Sequence, residues 1–500
     1  MKIVTRLTTA ILVLSMMIAL LASCAQTEIP SETTPATVAT EQPATSFEET
    51  PAEETYFAAS NIPEDMKFEG DIINILYWDD VPNTEFFVET SNGESVNDAI
   101  YNRNAKIEEQ FGVILEFSGT PGNYNKQKSF VNTCLNSTMS GADAYDVFCG
   151  YSMTGASIMI QGISQNLKNY EILDFEKPWW PQSIMSKATI KDGVYFVSGD
   201  ISTNFLYMMY LCIFNKEMFE TVNQNGAAEI YDAVHNGEWT VDKLIEYSSG
   251  MYSEQDGNQA ASAGDRYGFT VTEVHFDAFY TGSDLTTVDV SEDGSLVLSD
   301  DLFSQKTVTL LEKVCNLLHK SGDAYMEEGI HLFKSGNALF VIERASCLSK
   351  YLSKANFSFG ILPVPKYDAD QEAYQTCLSF PYTMYMISTA AGDAAAAAAT
   401  IQLMAYESYI GITPALFEES MKTRYADQSD DAIIFDYIRE GVVIDLGRLF
   451  TKQLDNLSYS IFRGAVKYDN AGGYMSTAAK NSKTFTAKLN DINESIKGLN

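Results

Sequence analysis

Three short apolar runs, separated by stretches of helical periodicity, constrain the fold of this chain more than any other feature. Ile72-Ile73-Asn74-Ile75-Leu76-Tyr77-Trp78 is almost continuously apolar, as expected of a strand covered on both sheet faces. A helix is predicted from Ser95, which is placed to cap it, with Asp98 three residues on as in a loose capping box. Val96, Ile100, Ile107 and Phe111 give that helix one apolar side. Val113 to Phe117 reads as the next strand, Phe130 to Met139 as a helix, and Tyr145 to Cys149 as a third strand. Alternation of this kind predicts a parallel sheet with helices on its faces.

The pattern continues. A strand is predicted at Val194–Val197, leading into Ser198-Gly199-Asp200, and another from Leu206 to Phe214 with a helix after Asn215. Thr240 is placed to cap a helix carrying Leu244 and Ile245. Leu302 to His319 reads as a long helix and Ala338 to Ile342 as a strand, while the prolines of Phe359 to Pro365 enforce an extended segment. Tyr382 to Ile387 is strand-like, an alanine-rich helix runs from about Ala394 to Ser408, and the last stretch is mostly helical. Some 430 residues of such sequence, ~430 being more than one core normally holds, predict an α/β protein of two lobes.

The N-terminus is of another kind. Lys2 and Arg6 precede an apolar run from Ala10 to Ala22, interrupted by Ser15. The run is shorter than the ~20 residues that span a bilayer, and its basic flank and small residues fit an export signal. It ends Leu21-Ala22-Ser23-Cys24, which resembles the bacterial lipobox, so residues 1–24 are expected to be a lipoprotein signal, lipidated at Cys24 and cut just before it to leave Cys24 as the new N-terminus. Residues 25–65 are rich in Thr, Pro, Ala, Ser and Glu. They lack the apolar surface to offset the entropy of ordering and are expected to form a disordered tether. The body is thus expected at the extracellular face of the membrane. With 67 acidic against 33 basic residues, a net charge of −34, the chain has no cluster suited to a nucleic-acid backbone.

Catalytic motifs are scarce. There is no GxSxG, HExxH or GxxxxGK[ST] pattern, and His235, His275, His319 and His331 have no metal-ligand spacing. Cys134, Cys149, Cys212, Cys315, Cys347 and Cys377 form no CxxC pair. Cys149 and Cys212, inside apolar runs, read as small buried hydrophobes. The segment Ser253 to Asp265 hints at a calcium loop through Glu254, Asp256, Asn258 and Asp265, but the alternation of oxygen ligands breaks after Asn258. No metal and no cofactor is therefore expected. Aromatic residues are more informative. Trp78 ends the first strand beside Asp79 and Asp80, Tyr151 follows the third, and Trp179-Trp180 lies in a Pro-flanked loop. Ligands bind beyond the carboxyl ends of parallel strands, where flat rings beside carboxylates suit a sugar. Trp239, at a helix start, reads as core.

The order of Asp143-Ala144-Tyr145-Asp146-Val147, Gly193-Val194-Tyr195-Phe196, Leu211 to Glu217, Phe333 to Phe340 and Phe359 to Lys366 resembles extracellular solute-binding lipoproteins of carbohydrate-type ABC importers. These are maltose-binding-like proteins of Gram-positive bacteria. The resemblance covers nearly everything after the tether. It implies a two-lobe α/β fold, each lobe a helix-covered, mostly parallel sheet, with crossover strands between them. Lobe 1 would comprise residues 66–203 and lobe 2 residues 204–370. Residues 371–500 would return to lobe 1 and add C-terminal helices shared with lobe 2. It implies a monomer that captures a sugar or short oligosaccharide and delivers it to a permease by hinge closure, with no chemistry on the ligand. By analogy Asp200 and Ser202 lie near the first crossover, and Glu343 and Arg344 follow a strand that walls the cleft. These four join Trp78, Asp79, Tyr151, Trp179 and Trp180 as candidate ligand-binding residues. An exported hydrolase would instead need a carboxylate pair in the cleft, and an adhesin would show repeats.

Overall fold

A computed structural model describes residues 59–141, 144–258, 260–417 and 429–499. Nine strands build its two principal sheets: β1 (Ile72–Trp78), β2 (Ile114–Thr120), β3 (Val147–Tyr151), β4 (Tyr210–Asn215), β5 (Tyr267–Thr270), β6 (Ala324–Tyr325), β7 (Ala338–Arg344), β8 (Phe359–Leu362) and β9 (Thr383–Ile387). The first sheet has the order β9-β3-β1-β2 and the second β6-β5-β7-β4-β8. The expected βαβαβ start is present: β1 lies parallel to both β2 and β3, and helices Ser95–Phe111 and Gln127–Ser140 make the crossovers. Val96, Ile100, Ile107 and Phe111 are all buried, as the periodicity requires. The capping box is absent. Ser95 is the first helical residue, and Asp98 reaches back to accept from the Asn92 and Gly93 amides.

The second sheet departs from the mostly parallel expectation. β4 arrives straight from the first lobe and runs against both of its neighbours, β7 and β8, while β5, β6 and β7 are parallel. The two segments that join the lobes run side by side, through antiparallel bridges Val197↔Tyr385 and Met209↔Leu378. The predicted strand from Leu206 therefore begins only at Tyr210, because a helical turn, Thr203–Tyr207, occupies the crossover. Ser202 caps that turn: its hydroxyl oxygen accepts from the Phe205 amide at 3.1 Å and the Thr383 amide at 3.3 Å.

Cys24, and the tether as far as residue 58, lie outside the described residues. The end of the expected tether belongs to the body instead. Asn61 donates to Ile172 O and accepts from Gln402, and the Ile62 side chain is buried. Ile62 is the first large apolar residue of the described segment, and its burial with two hydrogen bonds beside it offsets the entropy of ordering this stretch. All six described cysteines are free and buried, and burial pushes the thiols of Cys149 and Cys347 well up.

Candidate functional site

The register of the sheets decides which side chains meet at their carboxyl ends. In the first sheet β1 ends at Trp78 and β3 at Tyr151, and antiparallel β9 begins beside them with Thr383 opposite Tyr151. Trp78 Nε1 donates to Thr383 Oγ1 at 2.9 Å, and the Trp78 and Tyr151 rings meet edge to face at 5.2 Å. Gly122 lets the loop after β2 close over Trp78, since a Cβ there would sit 2.6 Å from the Trp78 Cβ. In the second sheet β7 ends at Glu343-Arg344, and β4 begins opposite with Tyr210. His275 and Asp277 follow β5.

The C-terminal helices complete the site. Arg448, in the short helix Leu446–Leu449, donates from Nη1 to Asp277 Oδ2 at 2.6 Å and from Nη2 to Leu378 O at 2.9 Å. Arg463, in the helix Leu457–Lys467, grips the same carboxylate through Nε at 3.0 Å and Nη2 at 2.6 Å. Arg448 lies 4.1 Å over the Phe380 ring, Arg463 4.3 Å over Tyr459 and Lys452 4.0 Å over Tyr124. Arg448 stands between two voids of about 10 Å³ each. One is lined by Ser152, Phe380 and Tyr382, the other by Asp277, Thr281 and Tyr459. Such a void has room for about one water, so the lobes meet closely here. A wider depression of about 560 Å³ lies elsewhere, around Tyr367 and Gln371.

Tyr151 is the side chain of this group best placed for a ligand. It is 4 % exposed, burial raises its pKa, and its phenol faces Arg448, Tyr124, Tyr459 and Tyr210. Its hydroxyl makes no hydrogen bond among the described residues. Tyr151→Phe should therefore change stability by less than about 0.5 kcal/mol, yet lower solute affinity about tenfold, ~1.4 kcal/mol. Calorimetric titration and urea unfolding on the same variant check both halves.

The other candidates divide. Glu343 and Arg344 belong to the same cluster. Glu343 Oε1 accepts from Arg344 Nε at 3.0 Å, and His275 Nε2 lies 3.2 Å from that oxygen without the alignment of a hydrogen bond. Burial pushes His275 down to about 4. Asp79 is exposed and sits beside Tyr77 and Gly119; strand alternation turns it to the face opposite Trp78. Trp179 and Trp180 are wholly buried against the helix Ala394–Glu407: Trp180 Nε1 donates to Gln402 at 3.0 Å, and Trp179 packs on Tyr406 at 5.3 Å. They fill the first lobe rather than line the cleft, because an alanine-rich helix leaves space that large rings occupy. Asp200, expected to accept from a ligand, instead accepts from Thr413 at 3.0 Å and Arg439 at 2.6 Å. Asp200→Asn should accordingly lower stability by about 1.5–3 kcal/mol and leave affinity unaltered, as unfolding and titration on one variant would show.

Near Ser253 the carboxylates of Glu254, Asp256 and Asp265 converge within 4.8 Å. Asp265 is already held by the Gln255 and Ser262 amides and Asp256 by Asn258 and the Ser262 hydroxyl, so the loop is closed by its own donors.

Sequence reading missed Tyr124, Asp277, Phe380, Arg448, Tyr459 and Arg463. One signal was available: Tyr459 and Arg463 are spaced i, i+4, which places ring and guanidinium on one helix face.

Two α/β lobes joined by paired crossing segments, with polar and aromatic side chains between the carboxyl ends of their sheets, define a two-lobe solute-binding fold. The comparison with solved structures agrees. A cyclic α-maltosyl-1,6-maltose binding protein from Arthrobacter globiformis superposes with a TM-score of 0.54 at 16 % identity, over 84 % of this chain and 99 % of that one. An extracellular solute-binding protein from Staphylococcus aureus in complex with maltose gives 0.53 at 11 % identity, over 85 % and 98 %. UgpB from Mycobacterium tuberculosis in complex with glycerophosphocholine gives 0.54 at 12 %, over 84 % and 98 %. No protein-family model and no curated protein matches the chain.

Proposed function

We propose that this protein captures a sugar or short oligosaccharide between its lobes, outside the cell, and delivers it to the permease of an ABC importer. One observation carries the reading: aromatic and guanidinium groups gather around the Tyr151 phenol, between two lobes that are joined by paired crossing segments. The fold shared with maltose-type binding proteins supports it. The mechanism is closure about the Val197–Met209 and Leu378–Tyr385 segments, the solute stabilising the closed state by touching both lobes. The protein performs no chemistry on its ligand and acts as a monomer, without nucleic acid. A glycoside hydrolase needs two carboxylates available as acid and base. Here Asp277 and Glu343 are committed to guanidiniums, which favours binding.

A thermal-shift screen against saccharides tests the proposal, because ligand at a hundredfold over Kd stabilises a fold by about 2.7 kcal/mol. A one-to-one complex without turnover is expected. Release of a cleaved product, or no response to any saccharide, would overturn it. In the same reading Cys24 carries a diacylglycerol anchor and the acidic, proline-containing segment after it spaces the body from the membrane. Mass spectrometry of the mature N-terminus should find modified Cys24, and a mature chain starting elsewhere would refute the anchor.

A further inference from the structure

The charge balance of the cleft is the reverse of the chain's. Overall, 67 acidic residues outnumber 33 basic ones. Around Tyr151 the cations are Arg344, Arg448, Lys452 and Arg463, and the carboxylates are Asp277, Glu343 and Asp445. Arg344 and Glu343 neutralise each other at 3.0 Å. Asp445 accepts from the Thr287 amide and hydroxyl and from the Val288 amide, caps a helix through the Gly447 amide, and sets its charge against Arg448. Asp277 bridges Arg448 and Arg463.

Four cations against three carboxylates leave one positive charge unmatched, with Lys452 over the Tyr124 ring in no ion pair among the described residues. The Arg448 and Arg463 side chains are only 11 % and 16 % exposed, so water screens the charges of this cluster poorly. His275 does not add to the unmatched charge, since burial keeps the imidazole neutral near pH 7. Nor do the acidic residues of the first lobe cancel it: Asp79 lies on the Tyr77 side of the sheet, and Asp80 accepts from the Gly122 and Asn123 amides. Glu273, at the edge, is matched by Lys467 at 2.7 Å. Both guanidiniums lie over rings, Phe380 and Tyr459, and Arg463 Nη1, which makes no hydrogen bond among the described residues, is left to meet an oxyanion.

We propose that the solute is an acidic saccharide whose anionic group, a carboxylate or a sulfate ester, binds against Arg448 and Arg463 with Tyr151 hydrogen-bonded beside it. This rests on the reading of the cleft as a saccharide site and narrows it. The neutral rings of the solute meet the aromatic edges, and the anion supplies the missing negative charge.

The test is calorimetric titration of the full-length mature protein with trigalacturonate, its methyl ester, a sulfated disaccharide and maltotriose, in low and high NaCl. An acidic ligand should bind at least tenfold more tightly than the ester and maltotriose, and weaken with salt. Arg463→Gln should abolish the difference between acid and ester. Preference for the uronate or for the sulfated sugar identifies which anion is read, and either supports the proposal. Equal or tighter binding of maltotriose or the ester overturns it and leaves saccharide capture standing. Binding of none of the four overturns saccharide capture and the proposal together.

Discussion

Replacing Asp277 with alanine should destabilise the protein by about 3–5 kcal/mol, the range for removing one partner of a buried ion pair. The carboxylate is 5 % exposed and takes short hydrogen bonds from two arginines that come from different helices. Without it, Arg448 and Arg463 face each other in a poorly hydrated site, and the C-terminal helices lose their link to the segment after β5. Arg463→Met should cost less, because the Arg448–Asp277 pair survives. Urea unfolding of the two variants at neutral pH gives the comparison. A loss below about 1 kcal/mol for Asp277→Ala would mean that solvent reaches the cluster freely.

Trp78→Ala should cost a comparable amount, about 3–5 kcal/mol, through the cavity left by a large buried side chain. Trp78 is 1 % exposed, its indole N–H is bonded to Thr383, and its ring meets Tyr151. Its position at the end of β1 also suits a stacking surface for a sugar, so the two roles predict different measurements. A core role lowers the unfolding free energy whatever the ligand. A stacking role lowers affinity with stability intact. Trp78→Phe separates them further, since it keeps a ring but leaves the Thr383 hydroxyl without its donor, at about 1–3 kcal/mol. A fully stable Trp78→Ala variant would show that the ring is not part of the packed lobe.

The contrast between Trp78 and Tyr151 illustrates what local sequence conveys. Both end parallel strands, and that position was legible because strand ends are set by short-range patterning. Which of the two has a polar atom to spare depends on partners elsewhere: Thr383 reaches Trp78 from 305 residues away, and no such partner among the described residues reaches the Tyr151 phenol. Asp200 makes the same point. Its place at the crossover was readable, yet its carboxylate is occupied by Thr413 and Arg439, more than 200 residues onward.

By itself the sequence determined the repeating strand–helix units of the first lobe, the buried side of the helix Ser95–Phe111, the alanine-rich helix Ala394–Glu407 and the two-lobe α/β class. Each follows from hydrophobic periodicity over a few turns or a few strand residues, which one stretch of chain carries alone. The tertiary structure decided the antiparallel course of β4, the burial of Trp179 and Trp180, and the meeting of Arg448 and Arg463 on Asp277. Those outcomes depend on which distant segments pack together. A carboxylate and a guanidinium more than 170 residues apart leave no periodic trace, because the fold, and not their spacing in the chain, sets the distance between them.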